Sequence, residues 1–154
     1  MSQINLLLED LKNADENIRH RATVALWRLW FHQKGAYGME LLQEAQTLLE
    51  RGENKESEIL LTSLIEDQPD FAEAWNRRAI FYYSQGKYQK SLEDCQMVVS
   101  LNPYHFGAFH GLGLCHAALG AYGAAIGAFR QALELQPYAT INQKLIFECT
   151  IHLT

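Results

Sequence analysis

The stretch Ala72–Pro137 reads AEAWNRRAIFYYSQGKYQKSLEDCQMVVSLNPYH and then FGAFHGLGLCHAALGAYGAAIGAFRQALELQP. Laid one above the other, the segments align without a gap at an interval of 34 positions, and similar residue types recur at selected sites. Trp75 falls over Phe109, Ala79 over Gly113, Gly86 over Gly120, Tyr88 over Tyr122, Val98 over Ala132 and Leu101 over Leu135. The only three prolines of the chain, Pro69, Pro103 and Pro137, keep the same interval. A fixed period of this length marks an architecture of stacked repeats.

Each segment reads as a helical hairpin. Trp75, Arg78, Ala79 and Tyr82 recur at i, i+3, i+4 and i+7, which places them on one helical face, and Ser91, Cys95 and Val98 form a second such stripe. Gly86 lies between the two, where a left-handed residue ends a helix without steric cost. Pro103 stops the second helix because it has no N–H and biases Asn102 away from helical angles. The same reading predicts helices near 38–51, 54–66, 71–85, 88–101, 105–119 and 122–135, with small residues at Ala79 and Ser91 letting paired helices approach.

These residues resemble the tetratricopeptide repeat (TPR) family, whose period is 34 residues. The unit 106–139 carries the resemblance through Phe109, Leu112, Gly113, Gly120, Tyr122, Ala125, Phe129, Ala132 and Pro137, with His116 where Tyr is usual. The unit 72–105 keeps Trp75, Tyr82, Gly86, Tyr88 and Pro103, but has Arg78 for Leu and Cys95 for Phe. The unit 38–71 matches more weakly, through Leu41, Ala45, Leu48, Gly52, Ser57, Leu61, Leu64 and Pro69. The resemblance implies an all-α, right-handed α-α superhelix over 1–154 as a single domain. It assigns 1–35 to an N-terminal hairpin that caps the stack, 38–137 to three repeats and 140–154 to a C-terminal capping segment. Asp15–Leu26, DENIRHRATVAL, also looks weakly like a single HEAT-type unit.

Composition bounds the function. Hydrophobic residues make up 48% and charged residues 20% of the 154, which fits a globular protein rather than a disordered one. A net charge of −5 argues against nucleic acid as a partner, because phosphate neutralisation requires a basic face. Cys95, Cys115 and Cys149 have neither paired nor zinc-type spacing and read as reduced core thiols. No secretory signal or membrane-length apolar run is present, so the expected compartment is cytoplasmic. Phosphate loops, nucleophile elbows, HExxH and CxxC are all absent, and no cofactor is implied. His110 and His116 are six apart on a helix with Cys115 turned away, a spacing that argues against a metal; His116 is expected to pack in the core.

In the TPR family one face of each first helix lines a concave groove that holds a segment of a partner protein. Register assigns to this groove Met39, Leu42, Gln46 and Leu49, then Glu73, Asn76, Arg77, Ile80, Tyr83 and Ser84, then Gly107, His110, Gly111, Leu114, Ala117 and Ala118. The subfamily that clamps carboxylate tails would need donors at Leu42, Gln46, Arg77, Gly107 and Gly111, and only Gln46 and Arg77 partly qualify. The implied function is therefore a non-enzymatic interaction scaffold. The alternative is a module that self-associates through an uncapped C-terminal end, with a catalytic or small-molecule role third.

Four local features carry further expectations. Gly107 and Gly111 face the groove one turn apart, as tolerated drift or as a side-chain-free floor. Glu44 and Arg78 both replace Leu at equivalent positions, predicting an ion pair between neighbouring repeats. Trp27, Trp30 and Phe31 form an aromatic cluster that either packs on the helix beginning near Gly38 or anchors a partner. Ile141, Leu145, Ile146, Phe147, Ile151 and Leu153 spread around more than one helical face, predicting a last segment that packs on the third repeat and leaves an apolar edge.

Overall fold

The chain folds as nine α-helices and no strands in a computed structural model that describes residues 1–154. They are α1 (Gln3–Asp10), α2 (Glu16–Phe31), α3 (Gly35–Glu50), α4 (Asn54–Asp67), α5 (Ala72–Ser84), α6 (Tyr88–Leu101), α7 (Phe106–Ala118), α8 (Tyr122–Leu135) and α9 (Thr140–His152). Each even-numbered helix from α4 to α8 packs on the helix before it and on the helix after it, so α3 to α9 form one continuous stack.

The hairpin turns recur because the residues that make them recur. Gly52, Gly86 and Gly120 have φ of 77°, 73° and 79°, a left-handed conformation that a Cβ disfavours. Around Gly86, the N–H of Lys87 bonds the Tyr82 carbonyl at 2.9 Å and that of Gly86 bonds the Tyr83 carbonyl at 3.0 Å, the paired bonds of a Schellman cap. Glu53 and Ala121 bond the Leu48 and His116 carbonyls in the same way. Inside each hairpin the helices approach through small residues. Buried Ser57 and Ser91 donate to the Ala45 and Ala79 carbonyls at 2.8 and 2.7 Å. In the third hairpin the equivalent contact is Gly113 against Phe129, where an added Cβ would lie 2.3 Å from the ring.

The N-terminal hairpin does not cap the stack. Leu11, Ala22, Leu26 and Trp30 cluster instead with Phe106, the first residue of α7, and with Leu135 at the end of α8. Helix α2 crosses the N-terminal ends of α5 and α7. Arg19 lies 4.0 Å over the Tyr138 ring, and the Gln136 amide approaches the Thr23 hydroxyl at 3.5 Å. At the other end, Lys34 pairs with Asp70 at 2.8 Å and Phe31 packs on the core of the first repeat. The aromatic cluster is thus divided: Phe31 reaches the core that includes Leu42 and Ala45 of α3, whereas Trp27 and Trp30 meet His105 and Phe106. The turn at 32–34 and Gly35, with φ of 65°, redirect the chain so that the indoles find their apolar surface on the third repeat.

The expected Glu44–Arg78 pair does not form. Glu44 is exposed, whereas Arg78 makes a bidentate bond to Asp94 of α6 at 2.8 and 2.9 Å and a further bond to Thr62 of α4 at 3.2 Å. A guanidinium fork matches one carboxylate better than it matches a distant one on the outer surface. Burial pushes the Asp94 carboxyl up and the Arg78 bonds pull it back, while those same bonds hold Arg78 in its charged form. His116 is half-buried in the last turn of α7 rather than enclosed in the core.

Helix α9 packs on α8 through Leu145, Ile146 and Cys149, while Phe147 and Ile151 are 66% and 55% exposed. Despite its β-branched residues it is helical from Thr140 to His152. No helix is long and apolar enough to cross a membrane.

The Arg78–Asp94 geometry yields a direct test. Arg78→Met or Asp94→Leu alone leaves a buried uncompensated charge and should cost about 3–5 kcal/mol, with the double variant costing less than the sum. Urea unfolding midpoints of the four proteins measure this, and strict additivity would contradict it.

Candidate functional site: an uncharged pocket between α5 and α7

The first helices of the second and third repeats face one another across a pocket of about 330 Å³, the small end of the usual range for ligand sites. Its walls are Ile80 and Tyr83 from α5 and Leu114 from α7, its floor is Gly111 with Cys95 and Ser91 of α6, and Trp27 of α2 lines it beside Gly107. Asn76, Ala79, Gly107 and His110 complete the lining. The stack brings seven of the sixteen positions that register assigns to the groove together here: Asn76, Ile80, Tyr83, Gly107, His110, Gly111 and Leu114.

Of the nine that do not line it, Leu42, Gln46, Glu73 and Arg77 lie elsewhere for reasons the packing makes plain. Leu42 is enclosed in the first-repeat core with Leu61, Leu64 and Phe71. Gln46 is exposed on the surface, where its amide donates to Glu50 at 3.3 Å. Glu73 is fully buried and bonded to His105. Arg77 turns away from the pocket, with its guanidinium 4.5 Å over the Phe31 ring and Nε 3.7 Å from the second Glu73 oxygen. Those last two atoms are buried without a hydrogen-bond partner and face each other slightly beyond bonding distance.

The Glu73–His105 contact fixes α2 over this face. The Ala108 N–H donates to His105 Nδ1 at 3.0 Å, so Nδ1 carries no proton and Nε2–H donates to Glu73 Oε1 at 2.5 Å. The Trp30 indole stacks on the imidazole at 4.4 Å and 18°, and the Trp27 indole meets it edge-on at 5.1 Å. Gly107 accommodates this arrangement, since a Cβ there would lie 2.9 Å from the Trp27 ring. The open floor anticipated at Gly107 is thus occupied by the chain's own tryptophan. At Gly111 a Cβ would lie 3.1 Å from the Cys95 sulfur, so the helix-propensity gain of alanine there is opposed by crowding.

Electrostatically the pocket is neutral. No Asp, Glu, Lys or Arg lines it. Hydrogen bonding with Cys115 and then burial push the Cys95 thiol up, and burial followed by the neighbouring Tyr88 pushes the Tyr83 phenol up. Ser91 is satisfied by the Ala79 carbonyl and by Cys115, whose thiol donates to it at 3.2 Å. His110 Nδ1 lies 2.7 Å from Asn142 Oδ1, an acceptor, so Nδ1 bears a proton and Nε2 is the acceptor of the neutral ring. Register reasoning missed Trp27, Ala79, Ser91 and Cys95. The last two lie on the inner stripe of α6, and the absence of a side chain at Gly111 is what bares them; for Trp27 no local signal exists.

This arrangement defines a class: stacked helical hairpins whose first helices share a concave face. Residues 72–105 and 106–139 each match a family model described as tetratricopeptide repeat. Residues 72–139 thus carry two tetratricopeptide repeats. A TPR repeat-containing protein of Rhizobium etli is 32% identical over 71% of this chain, which spans 54% of that protein's length. Human superkiller complex protein 3 is 31% identical over 42% of this chain and 4% of its own. Among solved structures, the first TPR of Spaghetti (RPAP3) bound to the HSP90 peptide SRMEEVD superposes with a TM-score of 0.71 at 21% identity, covering 75% of this chain and 91% of that one. The Yersinia enterocolitica secretion chaperone SycD, in complex with a peptide of the translocator YopD, gives 0.70 at 11%, covering 75% and 93%. At these identities the likeness establishes the fold.

The glycines separate two effects in one helical stack. Gly127→Ala, where nothing lies within 4 Å, should stabilise the protein by about 1 kcal/mol. Gly107→Ala should forfeit that gain by displacing Trp27, and amide exchange in α2 should accelerate. Equal stabilisation by both substitutions in thermal melts would contradict the close contact.

Proposed function

We propose that the chain is a non-enzymatic protein-interaction module that receives a segment of a partner protein in the pocket between α5 and α7. The observation that carries this reading is an uncharged apolar pocket, bounded by the exposed side chains of Ile80 and Tyr83, on the face that first helices share. The TPR domains of RPAP3 and yeast Sti1 are found with HSP90 and Hsp70 peptides and SycD with a YopD peptide, which supports a polypeptide as the class of partner. Within the pocket Ser91 bonds the Ala79 carbonyl and His110 bonds Asn142, and no hydrogen bond joins Ser91, Cys95 or Tyr83 to His110, so a catalytic reading finds no activated nucleophile.

A peptide-display selection against the immobilised chain tests this. Retained sequences should lose binding to Gly111→Leu, which fills the floor, and to Ile80→Glu, which charges an exposed wall without disturbing the core. Sequences that bind both variants as well as the parent would place the partner elsewhere.

A second reading, self-association, is favoured by one observation: Ile141, Phe147 and Ile151 of α9 are each at least half exposed. In this reading α9 pairs with another copy, and Phe147→Lys should lower the sedimentation-derived mass at high concentration. A parent protein that stays monomeric there would overturn it.

A further inference from the structure

We infer that the pocket recognises one large apolar side chain of an internal, uncharged peptide segment, with Asn76 bonding the adjoining peptide group, and that it rejects a carboxylate terminus. The inference rests on reading the pocket as the partner-binding site and names the chemistry of its occupant.

Three independent observations converge on it. Asn76 lines the pocket and is only 4% exposed, and its side-chain amide bonds to nothing in the chain while its polar atoms keep access to solvent. That amide is therefore free to bond a ligand, and a donor and an acceptor side by side match the C=O and N–H of a peptide unit. His110 Nε2, left as an acceptor by the Asn142 contact, offers a second site for a peptide N–H. The second observation is charge. Arg77, the one fixed cation that register assigned to this face, is held against Glu73 and Phe31, so nothing in the pocket compensates an anion. Placing a carboxylate in this apolar space would leave its charge desolvated and unpaired. The third is shape. Trp27 lies against Gly107 at the start of α7, which leaves less room there for an extended chain along the face. A volume of about 330 Å³ then suits one aromatic or large aliphatic group rather than a run of residues.

The test uses the intact chain and two probes that differ only in charge: N-acetyl-phenylalaninamide and N-acetyl-phenylalanine. Probes of this size bind at about millimolar affinity, which two-dimensional NMR titration reads directly. With the amide, shifts should concentrate at the Trp27 indole N–H and the backbone amides of Gly107, Gly111 and Leu114. The carboxylate should bind at least tenfold more weakly. Asn76→Leu, a near-isosteric change in an apolar setting, should weaken the amide probe fivefold or more while leaving the melting temperature unchanged or raised. Ile80→Glu, on an exposed wall, should abolish the shifts without affecting the fold. Equal or tighter binding of the carboxylate, unaltered binding to Asn76→Leu, or shifts scattered outside the pocket would each overturn the inference. Selected peptides that need a free C-terminus yet are blocked by Ile80→Glu would overturn it while leaving the interaction reading intact. Selected peptides indifferent to that variant would remove the interaction reading itself.

Discussion

A buried hydrogen bond between the Glu73 carboxylate and the neutral His105 imidazole governs how the rest of this protein is arranged. Both side chains are inaccessible to water, and they stand at opposite ends of the 72–105 unit. The bond therefore ties the start of α5 to the start of α7, and the imidazole it orients becomes the surface on which Trp30 stacks. Desolvating an ionised carboxylate is unfavourable unless hydrogen bonds replace its hydration. Here one oxygen is satisfied by His105, and the other is left facing Arg77. That residual need explains why the Arg77 guanidinium points along the helix ends rather than across the concave face.

Two consequences meet at the pocket. Drawing Arg77 aside strips the face of its fixed positive charge, and seating α2 on His105 brings Trp27 down on Gly107. The concave surface is thereby divided. One part is filled by the chain's own indoles, and the other remains an apolar recess floored by Gly111 and Cys95. Proteins of one fold differ in what they bind through such local diversions, because function resides in sites carried by a common scaffold.

The repeating part of this architecture was legible in the sequence because its determinants are local and periodic. Gly52, Gly86 and Gly120 mark turns, Ser57 and Ser91 mark close helix approaches, and each depends on neighbours within one hairpin. Register alone also gathered the seven residues from α5 and α7 that line the pocket. It failed wherever the partner was set by geometry outside the period. Arg78 chose Asp94 on the adjoining helix over Glu44, one repeat away, because side-chain reach and fork geometry decided the pairing. Leu42 fell into the core although its counterpart Asn76 lines the pocket, since the second and third repeats flank that recess and the first does not. The path of α2 had no local signature at all: its Thr23 meets Gln136, 113 positions further on.

That last contact changes the kind of folding unit this is. A stack in which each hairpin touches only its neighbours behaves as a one-dimensional chain, with stability summed over units and interfaces and with ends that fray independently. Helix α2 adds a contact between the first and third repeats, converting an open row into a closed circuit. Loosening the last hairpin then also strips Trp30 of the Phe106 surface it covers, and releasing α2 exposes both. Closing so long a loop slows folding, because chain entropy is lost before the contact forms. In return the hairpins unfold together, and the pocket between α5 and α7 is held by the whole molecule rather than by the two repeats that line it.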